Sequence, residues 1–237
     1  MELYDSNTEK EWWNFEPPPS AYDLVGNNLL TRFLRPLFYI LIRFYFHIYH
    51  KLRIRGYKKY YSKNPYIIVA NHSSHLDTPL ILSCFSLDSV NKIRAIAALD
   101  YFFSNPLVRI STHLLCNIIP INRKTADLTS IGMISKSLKE GGSIIIFPEG
   151  TRSRDGEINK FKPGVGLLIK KTKAEVLPIF IKGTYNCMNR GTKLPRRGPL
   201  EIQFGSPLKY DRFFKDEQNY DKIVDKLYRE ILRVSKL

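Results

Sequence analysis

The sequence has few cysteines and no long hydrophobic run, and both absences narrow the possible functions. Its three cysteines are scattered over 237 residues, too few for a disulfide framework or a zinc site. We therefore expect reduced cysteines in a cytosolic compartment. The most hydrophobic stretch, residues 29–50, is interrupted by Arg32, Arg35 and Arg43, which leaves uncharged windows of seven residues. A simple spanning helix needs roughly 18 apolar residues without such breaks.

Acidic residues are also scarce. Twenty-two aspartates and glutamates face 37 lysines and arginines, and the formal net charge is +15. Such a balance favours an anionic partner: a phospholipid surface, a phosphorylated substrate, an acidic carrier protein or a nucleic acid. The chain has no recognition-helix pattern, aromatic RNA-binding motif or zinc finger, so we expect no nucleic-acid partner.

Residues 29–50 nevertheless have the pattern of an amphipathic helix. On a helical wheel, an arc of about 120° contains the basic and imidazole side chains, and most of the remaining surface is Phe, Leu, Ile and Tyr. This pattern predicts a helix in the interface of an anionic phospholipid membrane, although a helix packed on the domain and a spanning or re-entrant segment are alternatives. The side chains of the arc are Arg32, Arg35, Arg43, His47 and His50.

Further basic residues follow at positions 51–59 and predict a location at the cytoplasmic leaflet. We expect peripheral or monotopic association with the cytoplasmic face of the inner or plasma membrane. Residues 1–50 then form a tail and a membrane-associating helix, and residues 51–237 form the globular domain.

Beyond residue 50, apolar strand patterns alternate with helical ones. This alternation predicts a single α/β domain with a mainly parallel sheet flanked by helices, with its chemistry at the carboxyl ends of the strands. Strands are predicted over residues 53–57, 66–70, 93–98, 117–121, 143–147, 175–181 and 200–204. Helices are predicted over residues 78–86, 106–115, 127–140, 165–171 and 220–234.

Three of these predicted strands end in polar clusters, at residues 71–72, 122–123 and 148–152. Strand ends in a parallel sheet share one edge, so the clusters can converge. Two of them carry arginine, which holds a phosphate through paired hydrogen bonds. Taken alone, Arg123 could be a surface charge and Glu149–Arg152 a loop ion pair, and it is the coincidence of the three strand ends that favours a site.

The first cluster contains a candidate catalytic pair, His72 and Asp77. A histidine at a strand end and an aspartate at the next helix start form a base and its orienting partner, provided that a turn joins them. We also expect Asp77 to cap that helix. The chain lacks a Gly-x-Ser-x-Gly nucleophile motif, so the attacking group would belong to the substrate. His75 makes a metal cluster an alternative, but no further Cys/His pair lies nearby, and we expect no metal.

Two motifs carry a resemblance to a known family. Residues 71–77, Asn-His-Ser-Ser-His-Leu-Asp, match the NHxSxxD form of the HxxxxD motif, and residues 147–153 match FPEGTRS. In this order and spacing they resemble the glycerolipid acyltransferase family. Weaker blocks at residues 119–123 and 176–179 agree with it. The resemblance covers roughly residues 50–207, and a basic region after Gly183 is unmatched.

The resemblance implies transfer of a fatty acyl chain from a thioester donor to the free hydroxyl of 1-acylglycerol 3-phosphate (lysophosphatidic acid), giving phosphatidic acid in phospholipid biosynthesis. The donor, acyl-CoA or acyl carrier protein, is a substrate, and no cofactor is implied. His72 would be the general base and Asp77 its orienting partner, with no acyl-enzyme. Glycerol 3-phosphate or another lyso-lipid is an alternative acceptor, and a non-catalytic basic lipid-binding protein is an alternative of another class. The acceptor would be bound by Arg123, Glu149, Gly150, Thr151 and Arg152.

Overall fold

A computed structural model of the protein describes residues 29–58, 65–98, 117–121, 128–215, 217 and 219–237. Within these residues the chain forms a seven-stranded sheet whose neighbouring strands are parallel, except for one antiparallel pair. The strands are β1 (Arg53–Arg55), β2 (Ile67–Ala70), β3 (Ile93–Ala98), β4 (Asn117–Ile121), β5 (Ser143–Ile146), β6 (Val176–Lys182) and β7 (Glu201–Phe204). They lie in the order β1-β7-β6-β2-β5-β3-β4, and the antiparallel pair is β6 with β7.

Helices lie between the strands and at both ends of the described chain. They are α1 (Leu29–Phe44), α2 (Asp77–Cys84), α3 (Leu87–Val90), α4 (Leu128–Lys139), α5 (Gly164–Thr172), α6 (Thr184–Cys187), α7 (Tyr210–Phe213) and α8 (Tyr220–Val234). A π-helical turn, Tyr45–Tyr49, continues α1.

The core has two halves, one on each face of the sheet. Alternate residues of β2 point to opposite faces, Ile68 and Ala70 to one and Ile67 and Val69 to the other. The first face packs against α1 and α2, and the second packs against α4, α5 and α8. Because both faces are covered, all of β2 is buried, which explains its uniformly apolar sequence.

The predicted α/β domain with a mainly parallel sheet is confirmed. Each predicted strand has a counterpart within two residues of its predicted bounds, and α8 has the predicted bounds. The predicted helix over residues 106–115 lies outside the described residues. The helices α3, α6 and α7 were not predicted, because four residues are too short to show a helical period.

Helix α1 has one face against the domain and one exposed apolar face. Tyr39 of α1 and Phe46 of the π-helical turn are buried in the core, and the Tyr39 hydroxyl donates a hydrogen bond to the Phe85 carbonyl. The opposite face carries large apolar side chains that are 54 to 62% exposed. At 100° per residue, the four of them within α1 span an arc of about 100°. We call this face the apolar stripe: Leu37, Ile40, Leu41, Phe44 and Ile48.

His50 does not belong to the exposed basic arc in which the helical wheel placed it. It is buried, with Nδ1 3.1 Å from the Gly198 carbonyl oxygen and Nε2 2.9 Å from the Tyr45 hydroxyl. The helical wheel assumed α-helical geometry throughout, whereas the π-helical turn changes the angular position of the residues that follow Tyr45. Among the described residues, no helix has both the length and the apolarity to cross a membrane.

Two glycines test how tightly the edge strand β1 packs. Gly56 follows β1 at φ +68°, and a Cβ there would collide with the Phe204 carbonyl oxygen of β7. Gly141 has φ +80° but open space around it.

We expect Gly141→Ala to lower the free energy of unfolding by about 1 kcal/mol, the cost of a left-handed alanine. Gly56→Ala should cost about 1–3 kcal/mol more, because the backbone must shift. Urea denaturation measures both values, and equal losses would contradict this close approach.

Candidate active site

The two motifs meet because their strands are neighbours. Strand β2 pairs with β5 in parallel, with Val69 opposite Ile146. The segments that follow, beginning at Asn71 and Phe147, therefore leave the same edge of the sheet side by side. This adjacency places residues about 75 positions apart in the sequence at one site.

Asn71 fixes the point at which β2 ends. Its side-chain amide donates to the Ile181 carbonyl at 2.9 Å and accepts from the Ile181 N–H at 2.8 Å. The side chain thus takes the place of a backbone partner for β6, and the main chain is free to turn away at His72.

His72 and Asp77 are in direct contact across the turn that joins them. His72 Nδ1 lies 2.8 Å from Asp77 Oδ2, and the Asp77 side chain is fully buried whereas that of His72 is 20% exposed. A buried carboxylate beside imidazole accepts, so Nδ1–H donates and Nε2 carries the lone pair. The arrangement leaves one basic nitrogen on a partly exposed ring.

Asp77 also builds the turn itself. The same oxygen, Oδ2, accepts from the backbone N–H groups of Ser73 at 2.7 Å and Ser74 at 2.8 Å. Asp77 is the first residue of α2, and Leu76 occupies the N-cap position without a side-chain hydrogen bond. The expected cap was therefore wrong, because the carboxylate points back into the turn and not into the helix. Its Oδ1 is buried without a hydrogen-bond partner among the described residues.

The FPEGTRS motif makes three contacts with His72. The His72 N–H donates to Glu149 Oε1 at 2.7 Å, and the His72 carbonyl accepts from the Ser153 N–H at 2.7 Å. The imidazole stacks on the Phe147 ring, with centroids 4.0 Å apart and planes 15° from parallel. The position of the imidazole therefore depends on the segment that follows β5.

The Glu149 side chain is buried, and the residue is only 3% exposed. Its second oxygen, Oε2, accepts from the backbone N–H and the side-chain amide of Asn159, each at 3.0 Å. Both carboxylate oxygens are thus bonded to protein groups. Burial raises the pKa of Glu149 in spite of these hydrogen bonds, which favour the charged form.

The next residues of the motif face outward. Gly150 turns the chain at φ +70°, Thr151 is exposed and Arg152 is half-buried. The Lys162 side chain lies over the glycine, and its amine would be 2.8 Å from a Cβ at Gly150. Lys162 therefore brings a second cation to the same short segment as Arg152.

Arg123 lies outside the described residues. The strand that precedes it, β4, is the last in the sheet and is separated from β5 by β3. At ordinary strand spacing, the ends of β4 and β5 are about 10 Å apart. The three predicted strand ends thus share one edge, but only two of them are adjacent.

His75 lies in the electrostatic field of the site. Burial chiefly, and then the positive charge of Arg152, lower the pKa of His75 to about 4. The imidazole is therefore neutral at neutral pH. Within the described ranges, no three His, Cys, Asp or Glu side chains gather in a group able to hold a metal ion.

Three residues of the site were not identified as site residues from the sequence. Phe147 and Ser153 belong to the FPEGTRS motif, so their position in it was the available signal. Asn159 lies ten residues beyond Glu149, in a loop that carries no pattern. Its contact with Glu149 arises from the path of the loop, which local sequence does not encode.

The combination of this fold and these motifs defines a family of transferases. A family model described as Acyltransferase matches residues 51–182, more than half of the chain. The chain belongs to this Acyltransferase family, which confirms the resemblance noted in its sequence.

Individual relatives agree with the family. The chain is 29% identical over 164 residues to the chloroplastic 1-acyl-sn-glycerol-3-phosphate acyltransferase LPAT1 of Arabidopsis thaliana, covering 68% of this chain and 44% of that protein. It is 27% identical over 170 residues to a 1-acyl-sn-glycerol-3-phosphate acyltransferase of Cocos nucifera, covering 71% and 54%. The matched segment thus spans about half the length of these curated relatives.

A solved structure shares the fold over almost the whole chain. The crystal structure of the 1-acyl-sn-glycerophosphate (LPA) acyltransferase PlsC from Thermotoga maritima superposes with a TM-score of 0.65. The superposition covers 97% of this chain and 95% of that one, at 23% sequence identity. Both chains therefore build the same α/β architecture.

The lowered pKa of His75 predicts acid sensitivity. The unfolded chain protonates His75 near pH 6.5 and the folded protein near pH 4, so the unfolded state binds more protons between these values. Its protonation therefore destabilises the fold as the pH falls from about 6.5 to about 4, and above that window its titration contributes nothing. At pH 5 we expect His75→Gln to recover about 1–2 kcal/mol relative to the wild type.

Urea denaturation at pH 7.5 and pH 5 measures this difference. His47→Gln, which removes an exposed histidine, is the matched control and should keep the wild-type pH dependence. A His75→Gln protein as acid-sensitive as the wild type would contradict the assignment.

Proposed function

We propose that this protein transfers a fatty acyl chain from a thioester donor to the free hydroxyl of 1-acylglycerol 3-phosphate, giving phosphatidic acid. The observation that carries the proposal is the hydrogen bond from His72 Nδ1 to the buried Asp77, which leaves Nε2 to act as the base. The names of the relatives support the choice of acceptor.

In this reaction His72 Nε2 takes the proton of the acceptor hydroxyl as its oxygen attacks the thioester carbonyl carbon. The tetrahedral adduct then expels the thiolate, which receives the proton from the imidazolium, so a thiol and phosphatidic acid are released. Asp77 stabilises the imidazolium and holds the tautomer. A positioned base of this kind contributes about 10²–10⁴ in rate. No acyl-enzyme and no cofactor take part, because acyl-CoA or acyl carrier protein enters as a substrate.

The phosphate of the acceptor would bind at the segment after Glu149. Arg152 provides a bidentate cation, and Gly150 and Thr151 offer a turn and an exposed hydroxyl. The Lys162 amine, which lies against Gly150, adds charge at the same place. Arg123, from the weaker block at residues 119–123, remains a predicted ligand of the phosphate.

Glu149 would act on the reaction through the position of the base. Both of its oxygens already accept hydrogen bonds, one from His72 N–H and two from Asn159. We therefore assign it the role of a positioning residue that holds the backbone of the base. A residue of this kind affects the rate of the chemical step more than the affinity for the acceptor.

The acceptor is a lipid, and the apolar stripe of α1 would bring the domain to it. Five large apolar side chains on one exposed helix face suit the interface of a phospholipid bilayer. We propose a peripheral or monotopic association, at the cytoplasmic face of the inner or plasma membrane.

The activity itself is tested with purified protein and a panel of substrates. Lysophosphatidic acid should be acylated in preference to glycerol 3-phosphate, and acyl-CoA and acyl carrier protein are compared as donors. His72→Ala should lower kcat by about 10²–10⁴ while the melting temperature stays within a few degrees of wild type. Wild-type protein inactive towards every acceptor, or His72→Ala with near-normal turnover, would contradict the proposal.

The positioning role of Glu149 is tested through Asn159, which bonds the carboxylate oxygen that His72 does not use. Asn159→Asp places two carboxylates in contact and should displace His72, lowering kcat by about 10²-fold with little change in the KM for the acceptor. Asn159→Ala keeps the backbone donor and should lose less activity. Asn186→Asp, which adds the same charge at an exposed position, is the control. A raised KM at unchanged kcat would instead indicate that Glu149 contacts the acceptor.

A further inference from the structure

A basic loop joins α6 to β7 and lies beyond the part of the chain that matches the family model, which ends at residue 182. We call residues 188–199 the cationic loop. Its four arginine and lysine side chains are exposed, and residues 183–200 contain no aspartate or glutamate. At its centre Leu194 is 77% exposed, more than any residue of the apolar stripe. The basic residues are Arg190, Lys193, Arg196 and Arg197.

Hydrogen bonds attach this loop to two other parts of the molecule. At its start, the Met188 carbonyl accepts from the hydroxyl of Ser74, in the turn between His72 and Asp77, at 2.6 Å. At its end, Arg197 Nε donates to the Tyr49 carbonyl at 3.2 Å, in the π-helical turn that continues α1. The loop therefore bridges the catalytic turn and the helix that carries the apolar stripe.

The loop also has internal order. The side-chain oxygen of Asn189 accepts from the Gly191 N–H at 3.1 Å and from the Thr192 hydroxyl at 2.9 Å. The Arg196 N–H donates to the Cys187 carbonyl at 2.8 Å. These bonds close the loop on itself, so its cations and its leucine are presented on a defined structure.

The chemistry of the loop fits a lipid surface better than a soluble anion. A phosphate pocket needs buried, converging donors, whereas these cations are spread along an exposed loop. A leucine exposed among cations is instead suited to an anionic bilayer, where the charges meet headgroups and the apolar side chain enters the interface.

We propose that the cationic loop binds anionic phospholipid headgroups and forms a second membrane contact beside the apolar stripe. Two contacts fix the orientation of the domain, whereas one helix alone leaves it free to rotate about the helix axis. Because the loop is bonded to the catalytic turn, this orientation would present His72 to the membrane from which the acceptor comes. The inference rests on the membrane association proposed above.

Vesicle flotation tests the loop and the stripe separately. The loop variants are Lys193→Gln/Arg196→Gln and Leu194→Ser, which spare Arg197 because its guanidinium is bonded to the helix. The stripe variant is Leu41→Ser/Phe44→Ser. Lys222→Gln/Lys236→Gln removes the same charge from exposed positions in and after α8, which packs on the opposite face of the sheet from α1. Vesicles of phosphatidylcholine, with and without phosphatidylglycerol, are the probe, and thermal melting checks that each variant is folded.

On vesicles that contain phosphatidylglycerol, each neutralised loop cation should lower the partition coefficient about fivefold. The Lys193→Gln/Arg196→Gln variant should bind phosphatidylcholine vesicles as the wild type does. Leu194→Ser should bind less to both kinds of vesicle. The control pair should bind as the wild type does in every case.

Three results would overturn the inference. If the stripe variant loses binding while the loop variants float like the control, the stripe alone binds the membrane and the proposed function stands. If the loop variants float normally but show a raised KM for the acyl donor, the loop binds the anionic donor instead. If the wild type does not float on either vesicle, the membrane association fails together with the loop, while acyl transfer in detergent is still measured independently.

Discussion

One oxygen of a buried aspartate organises the site. Asp77 Oδ2 accepts three hydrogen bonds, from the His72 ring and from two backbone N–H groups of the intervening turn. A carboxylate removed from water is stable only when it is compensated in this way, so the turn, the tautomer and the start of α2 are fixed together. A change at this oxygen therefore affects the path of the backbone as well as the imidazole.

The FPEGTRS motif combines two kinds of side chain in seven residues. Phe147, Glu149 and Ser153 contact His72, and the last two are buried. Gly150, Thr151 and Arg152 lie between them and face outward to differing degrees. One short segment thus contacts His72 and also carries an arginine. This dual role explains why the motif must follow β5 directly, because β5 is the neighbour of β2.

Most of the fold could be predicted from the sequence because its signals are local. The apolar runs that became β2 and β5, and the periodicity of α8, identify their elements without reference to the rest of the chain. The contact of His72 with Asp77 followed from their spacing around a turn. The sequence could not predict the burial of His50, which depends on a π-helical turn, or the role of Asn159, which depends on a long-range contact.

The strand order also separates the parts of the chain by how freely they can change. After α2 the chain passes to the far margin of the sheet, forms β3 and β4, and returns as β5 in the place beside β2. Residues 78–142 are thus a detour between two neighbouring strands, and the β2–β5 pair does not set the lengths of the loops within this detour. Insertions in the loops of the detour would leave the relation of the two motifs intact, whereas β3 pairs with β5 and has to be kept. The architecture therefore allows the loops of the detour to vary while the adjacency of the two motifs, which the β2–β5 pair sets, is kept.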